Sequence, residues 1–369
     1  MYIYFIPILS LFFLSKYRIS KKTERIILFL LMIFLCFGYM TGSDWRTYET
    51  DYVDGFTHRL VEPGYMFISN SASSLGINFW AFHIFFKCLS FILIVQLIDK
   101  LCNRNPFFAL ALWYASYGLF LFINCPFRNV IACGIGALAI IQLLDKRVIL
   151  FYTLSALAMT FHLSAIILLI LPICRFERFS SKLLVTLYLG LLAILLIVGS
   201  GFVYNILSAL LPSFLLDRLG FYTESNGSLL SFGLIPRLIC LYLLITYRYR
   251  IARNNKYGSA VFSMAYTSLL VSLIYYAFPM LFRSALFLSP FYVVAIFLGL
   301  QEMNIKYKSI LRLCISFIFL AVVYTTVRSV YYVPYTNIID HAITGKLYDY
   351  EYRDNYNFTY SPYREKLPN

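Results

Sequence analysis

VILFYTLSALAMTFHLSAIILLILP, residues 148–172, is the stretch on which the threading of the whole chain turns. A membrane-crossing helix needs about 20 consecutive apolar residues, and these 25 suffice. The difficulty lies in the flanks. Both neighbouring connectors, 145–147 (DKR) and 174–182 (CRFERFSSK), are basic. Basic connectors stay on the cytoplasmic side, so a single crossing here would put every later basic loop outside. The alternation is restored if 148–172 enters and leaves on the cytoplasmic side, as two half-length helices bent near Thr160–Phe161–His162. Backbone at such a bend loses helical hydrogen bonds, which is tolerated only against protein or a water-filled cavity. One long tilted span with a misplaced basic loop is the competing reading; the charge alternation favours the re-entrant hairpin.

Elsewhere the pattern is regular. Apolar runs occupy 2–15, 26–41, 79–98, 107–123, 127–144, 183–203, 234–247, 259–278, 285–300 and 310–330. Of 369 residues, 61% are hydrophobic and 13% charged, and the mean hydropathy is +0.75. Soluble domains are about half apolar and a quarter charged. The expected fold is an all-α polytopic membrane protein of about ten full transmembrane helices plus the re-entrant hairpin. Connectors 16–25, 99–105, 145–147, 174–182, 247–257 and 301–312 hold nineteen Lys/Arg against five Asp/Glu. The opposite set, 42–77, 124–129, 204–237, 279–284 and 328–369, holds eleven against twelve. The first set is read as cytoplasmic and both termini as outward. Residues 1–330 then form a single transmembrane domain with outer loops 42–77 and 204–233, and 331–369 form a polar outer tail.

The net charge of +14 sits in those cytoplasmic loops, so it does not signal a nucleic-acid partner. Basic arms, zinc spacings and RNA-binding signatures are missing from the sequence. The eight cysteines lie mostly inside apolar runs and form no C-x-x-C; they read as small apolar fillers. Residues 2–15 lack a basic start and a small-residue cleavage site, so they read as a retained first helix.

Charge inside a bilayer is expensive and marks function by default. On the outer side of this topology the unusual polar residues collect. Arg128 opens one run, Arg237 opens another, Arg283 interrupts a third, and His162 sits at the expected bend. The segment GSDWRTYETDYVD, residues 42–54, gathers Asp44, Glu49, Asp51 and Asp54, and Glu62 follows. Interfacial anchoring explains any one arginine; three on the side where positive charge is disfavoured point to an anionic ligand. Guanidinium groups recognise phosphate bidentately. A carboxylate touching a hydroxyl acts as its base. A lipid-linked diphosphate with a polar group outside suits this place, and positive charge helps a diphosphate leave. Lys87, inside the third run, is read as snorkelling or paired with a carboxylate. Glu49 and Asp51 supply two carboxylates at i,i+2, fewer ligands than a divalent metal site needs, and no nucleotide-binding P-loop occurs. Metal-independent chemistry without cofactor is the expectation.

Six motifs in order carry a family resemblance: GSDWRTYETDY (42–52), EPGYMFI (62–68), FRNVIACGIGALAI (127–140), LAMTFHLSAIILLILP (157–172), FRSALFLSPFY (282–292) and YYVPYTN (331–337). The chain resembles the EpsG/Wzy family of bacterial O-antigen and capsular polysaccharide polymerases. The resemblance implies a GT-C-like glycosyltransferase of the bacterial inner membrane. Such an enzyme joins undecaprenyl-diphosphate-linked oligosaccharide repeat units on the periplasmic face, with a chain-length regulator protein as partner. It makes Asp44, Arg128, His162 and Arg283 site candidates. In the reading built on it, Arg128 and Arg283 bind diphosphate, with Arg237 as a further candidate. Asp44 is the base, with Glu62 as the second choice, and His162 orients the diphosphate or the base. Tyr48, Trp45 and Tyr65 are candidates to stack on sugar faces.

Two other classes compete. A membrane O-acyltransferase of surface glycans also has about ten spans, but calls for a histidine in the first span, and 2–15 has none. A lipid-linked oligosaccharide transporter calls for repeated halves and more intramembrane charge than Lys87 supplies. The shared-pocket reading requires residues 128 and 283 on one face of the membrane. Single cysteines at those positions, in a cysteine-free background, are expected to react with an impermeant maleimide from the outer side. Labelling from opposite sides would dismantle the pocket.

Overall fold

The computed structural model describes all residues except 57–60, 103–104, 211–232, 278–280, 346–350, 354 and 357–369. Most of the expected outer loop 204–233 and much of the tail beyond 345 therefore lie outside the described residues. What is described is helical, with one isolated bridge, Gly38 to Asn337. The helices are α1 (Phe5–Leu14), α2 (Lys21–Cys36), α3 (Trp45–Asp54), α4 (Pro63–Ser74), α5 (Phe79–Cys102), α6 (Phe107–Trp113), α7 (Phe127–Leu144) and α8 (Val148–Phe161). They continue as α9 (Ser181–Leu210), α10 (Leu234–Asn254), α11 (Gly258–Ala277), α12 (Phe282–Gln301), α13 (Ile305–Thr326) and α14 (Ile338–Thr344). Among the described residues, five helices are long and apolar enough to cross a membrane. They lie in α5, α7, α11, α12 and α13.

The chain forms two compact units. The first comprises Met1–Lys100, Arg104–Ala165 and Leu313–Asn369; the second comprises Leu101–Asn103 and Ile166–Arg312. In the second unit α12 is buried all round from Ser284 to Leu300, the signature of a helix at the centre of its bundle. It packs against α10 and α11. Arg248 ties the loop before α9 to α10, donating to the carbonyls of Glu177 and Phe179 at 2.7 Å each.

In the first unit α7 and α8 form a hairpin packed along its length. Its turn places Lys146 at φ 62, and Asp145 is bridged by Lys100 at 2.8 Å. The run 148–172 is not one helix. Helix α8 ends at Phe161, His162 is extended (φ −159, ψ 124), and Leu163–Ile170 winds as a 3-10 helix. Fourteen residues of α-helix cover about 21 Å, short of a hydrocarbon core of about 30 Å.

Two expectations change. The apolar run 26–41 stops being helical at Cys36, because residues 37–42 pair with the strap that follows α13. Tyr39 N donates to Thr336 O at 3.0 Å, Ile338 N to Phe37 O at 2.9 Å and Gly42 N to Tyr331 O at 2.9 Å. The expected outer loop 42–77 contains two helices, α3 and α4. The strap tyrosines serve backbone as well as interface. Tyr335 donates to Phe34 O at 2.8 Å, and Tyr332 O accepts from Tyr4 at 2.5 Å.

One close approach positions α4 in this unit. Gly64 of α4 faces Thr160 of α8, and an added methyl would collide with the Thr160 hydroxyl and lie 2.9 Å from its carbonyl oxygen. Helices come this near only where one of them is bare. Gly64→Ala is expected to lower stability by about 1–3 kcal/mol, read as a fall in unfolding temperature of the purified protein. An unchanged temperature would mean that α4 does not seat on α8.

Candidate functional site

The end of the first unit where α7 begins is organised by a chain reversal. Beyond α6 the helix widens to π-turns over Tyr114–Gly118 and Phe120–Asn124. It ends at Cys125, which adopts the left-handed conformation (φ 57, ψ 69) while its N–H donates to Phe120 O at 3.0 Å. Pro126 follows, and α7 begins at Phe127. A proline before the first turn costs no hydrogen bond there, and the N-terminus of a helix is a place where an anion is stabilised.

Against this reversal lies the segment 42–44. Gly42 has φ 91, and a side chain would collide with the carbonyl oxygens of Ile123 and Asn124, so only glycine fits. Ser43 N donates to Asn124 Oδ1 at 3.2 Å. The Ser43 hydroxyl lies 2.6 Å from Asp44 Oδ1 and 3.1 Å from Asn124 Oδ1, one proton facing two acceptors. Asp44 stands at the N-cap of α3, yet its carboxylate does not cap the helix. It is turned to Ser43 and is half-buried.

Helix α3 buries Trp45, Tyr48 and Tyr52 on one face, at helical spacing. Tyr48 and Tyr65 meet Phe127 with ring centroids 5.7 and 5.9 Å apart. These rings, candidates for stacking on sugars, are 7% and 0% exposed, and Trp45 is 3% exposed. They offer no open face; they seat α3 and α4 on the start of α7. Burial pushes the Tyr48 phenol up, with the Arg128 guanidinium pulling against it. Burial raises Tyr65 well above its ordinary value. Both hydroxyls thus stay protonated at physiological pH.

Arg128, in the first turn of α7, is ion-paired through Nη1 with Glu62 Oε2, and its guanidinium hydrogen-bonds the Tyr48 side chain. Its Nε is buried without a partner among the described residues. Glu62 is the N-cap residue of α4 but leaves that helix uncapped, its carboxylate committed to Arg128. His162 is 9% exposed. Its Nδ1 accepts from Ser164 N at 3.1 Å and lies 2.7 Å from the Ser164 hydroxyl, an assignment that puts the proton of a neutral ring on Nε2. Because α7 and α8 are antiparallel partners, Arg128 and His162 lie at the same end of their hairpin, remote from the Asp145–Arg147 turn.

Asp44, Trp45, Tyr48, Glu62, Tyr65, Arg128 and His162 therefore belong to one unit, where the start of α7 brings Arg128 onto Glu62 and both Arg128 and Asp44 within electrostatic reach of Tyr48. Arg237 and Arg283 belong to the other unit. Arg237 is 8% exposed, donates to Gly233 O at 2.6 Å and to the Tyr275 hydroxyl, and lies 5.4 Å from the Tyr275 ring centroid. Arg283 is half-buried in the first turn of α12. Glu49 is held by Trp80 Nε1 at 3.2 Å and by Arg353 of the tail at 2.7 Å, so its partners are protein groups. Sequence reading missed His83. It lies on the buried face of α5, 2% exposed, 4.4 Å from the Phe127 ring and 3.4 Å from Cys125 Sγ. Only its place inside an apolar run could have flagged it.

Removing the guanidinium leaves Glu62 and Tyr48 without their partner in a largely enclosed place. Arg128→Ala is expected to destabilise the first unit by about 2–4 kcal/mol, and the near-isosteric Glu62→Gln by less. Thermal unfolding of both purified variants checks the order; equal losses would show that the ion pair carries no net weight.

The EpsG family model matches residues 23–337, most of the chain and all six quoted motifs. No curated protein matches, and no solved structure does.

Proposed function

The chain belongs to the EpsG family, and from that premise we propose that it is a membrane glycosyltransferase that polymerises surface polysaccharide. It takes a growing glycan from a polyprenyl diphosphate, undecaprenyl diphosphate in bacteria, and joins it to a second lipid-linked repeat unit. In this reading the protein has ten full spans and a GT-C-like arrangement, with 148–172 as the re-entrant element. It lies in the inner membrane with its site facing the periplasm, and it works with a chain-length regulator. The observation that carries the reading is the meeting of Asp44, Glu62 and Arg128 at the start of α7, in motifs 42–52, 62–68 and 127–140 of the matched region.

The division of labour follows from the chemistry of each group. Arg128 holds the diphosphate through its guanidinium, its free Nε edge and the first-turn N–H groups of α7. Glu62 occupies Arg128 until the diphosphate arrives, which keeps a partly buried cation paired in the empty enzyme. Tyr48, a neutral phenol, steadies the guanidinium. Asp44 takes the proton from the acceptor hydroxyl as that oxygen attacks the anomeric carbon of the donor sugar. The anomeric carbon–oxygen bond breaks, and the electron pair leaves on the diphosphate. Arg128 and the Nε2–H of His162 neutralise the charge that develops there; Arg283 and Arg237 lie in the other unit and stand as candidates for the same ligand from their positions in the sequence alone. The reaction needs no nucleotide and no metal.

The test is ladder length in a deletion strain complemented with each variant. Asp44→Asn, Arg128→Ala, His162→Ala and Arg283→Ala are each expected to shorten or abolish polymer, leaving single repeat units on the carrier or core lipid. Normal ladders from all four, at normal protein levels, would remove the site. Acylation lost at unchanged chain length would instead favour the acyltransferase class.

A further inference from the structure

Near the Asp44 turn lies a charge that the proposed reaction does not use. Lys87 sits inside α5, a 24-residue apolar helix, and is 1% exposed. An ammonium in such a place is costly, and it marks function unless an acid neutralises it. Sequence reading expected Lys87 to snorkel or to pair with a carboxylate. It is sealed from solvent, and among the described residues no carboxylate lies within ion-pair distance.

What surrounds it identifies its task. His83 lies one turn away on the same face of α5. His83 lies 3.4 Å from Cys125 Sγ, and Phe91, one turn beyond Lys87, meets Phe122 with ring centroids 5.8 Å apart. Lys87, between them on that face of α5, is therefore directed at the stretch from Phe122 to Cys125. Cys125 terminates the helix that ends at Asn124, whose last carbonyls carry partial negative charge. Gly42 and Ser43 pack on the same reversal and Asp44 follows them, and the Lys87 and Asp44 charges both reach the Cys125 thiol. Ammonium, helix end and carboxylate thus meet at one reversal.

Resting on the reading of Asp44 as base, we propose that Lys87 is a positioning residue for Asp44. Its buried charge, acting across Cys125, holds the Gly42–Asp44 turn and its carboxylate against the helix end. The interaction needs no direct contact, because in an enclosed apolar place a charge acts over distances that water and salt would screen. His83, wedged between Phe127 and Cys125, fills the space between Lys87 and the turn. Diphosphate binding belongs to Arg128 and does not depend on Lys87. Loss of the charge should therefore lower turnover rather than affinity.

The experiment uses the full-length protein in liposomes with lipid-linked repeat units. It measures kcat and KM for Lys87→Met, Lys87→Gln, Lys87→Arg, Asp44→Asn and the double variant Asp44→Asn/Lys87→Met. Met and Gln are expected to lower kcat by about tenfold or more with little change in KM, and Arg to restore most of it. In the double variant, Lys87→Met is expected to add little to the Asp44→Asn loss, since the two residues act as one unit. Equal activity of Gln and Arg, a wild-type rate for Met, or fully multiplicative losses in the double variant would overturn the proposal. If Met does not fold, the Arg and Gln pair still decides it. Full activity of Asp44→Asn would remove the base reading itself, whereas an inactive Asp44→Asn beside a fully active Lys87→Met would remove only the role of Lys87.

Discussion

A helix whose end is buried must find partners for its last carbonyls, since no water is there to take them. In the first unit this constraint falls on the helix that runs from α6 through its π-turns to Asn124, where Ile123 and Cys125 are buried. The chain turns Cys125 left-handed, so that its N–H serves Phe120 O, starts α7 on Pro126, and lays the Gly42–Asp44 segment against the same end. Gly42 permits the approach because it has no side chain. Ser43 N completes it by donating to the Asn124 side-chain oxygen. The same reversal starts α7, so it also places Arg128. Base candidate and phosphate-binding candidate are thus neighbours for one structural reason.

The strap that follows α13 meets a second form of the same demand. Residues 37–42 leave the helix after Cys36 and would bury unpaired backbone. The strap supplies carbonyls at Tyr331 and Thr336 and an N–H at Ile338. Tyrosine hydroxyls satisfy further carbonyls, as when Tyr114 donates to Tyr4 O at 2.8 Å. Beyond it, Arg353 reaches Glu49 on α3. A chain terminus far away in sequence therefore holds the acid-rich segment in place. That coupling explains why the YYVPYTN stretch belongs with the motifs that carry the site residues.

Much was legible in the residues themselves. The all-helical character followed from long apolar runs and low charge. The break in 148–172 was placed near His162 because basic connectors on both sides conflict with a simple crossing, and the helix does stop at Phe161. Other features were hidden. The run 26–41 is apolar to its end, so nothing local reveals that residues 37–42 pair with a strap nearly 300 positions away. Tyr48 and Tyr65 have the amphipathic character of sugar platforms, and only packing around Phe127 shows that their faces are covered. Glu49 looks like half of a metal pair until Trp80 and Arg353 are seen to hold it.

The sequence alone determined the helical, membrane-embedded character of this protein. This is a property of composition and order, which act through hydropathy and charge and need no contact. Tertiary structure alone decided the partners: Arg128 with Glu62, Ser43 with Asn124, Gly64 with Thr160, and Lys87 enclosed with no acid beside it among the described residues. Partnership depends on which helix faces pack and on how near bare glycines let them come. Those distances are set by long-range packing, and no local pattern in the chain encodes them.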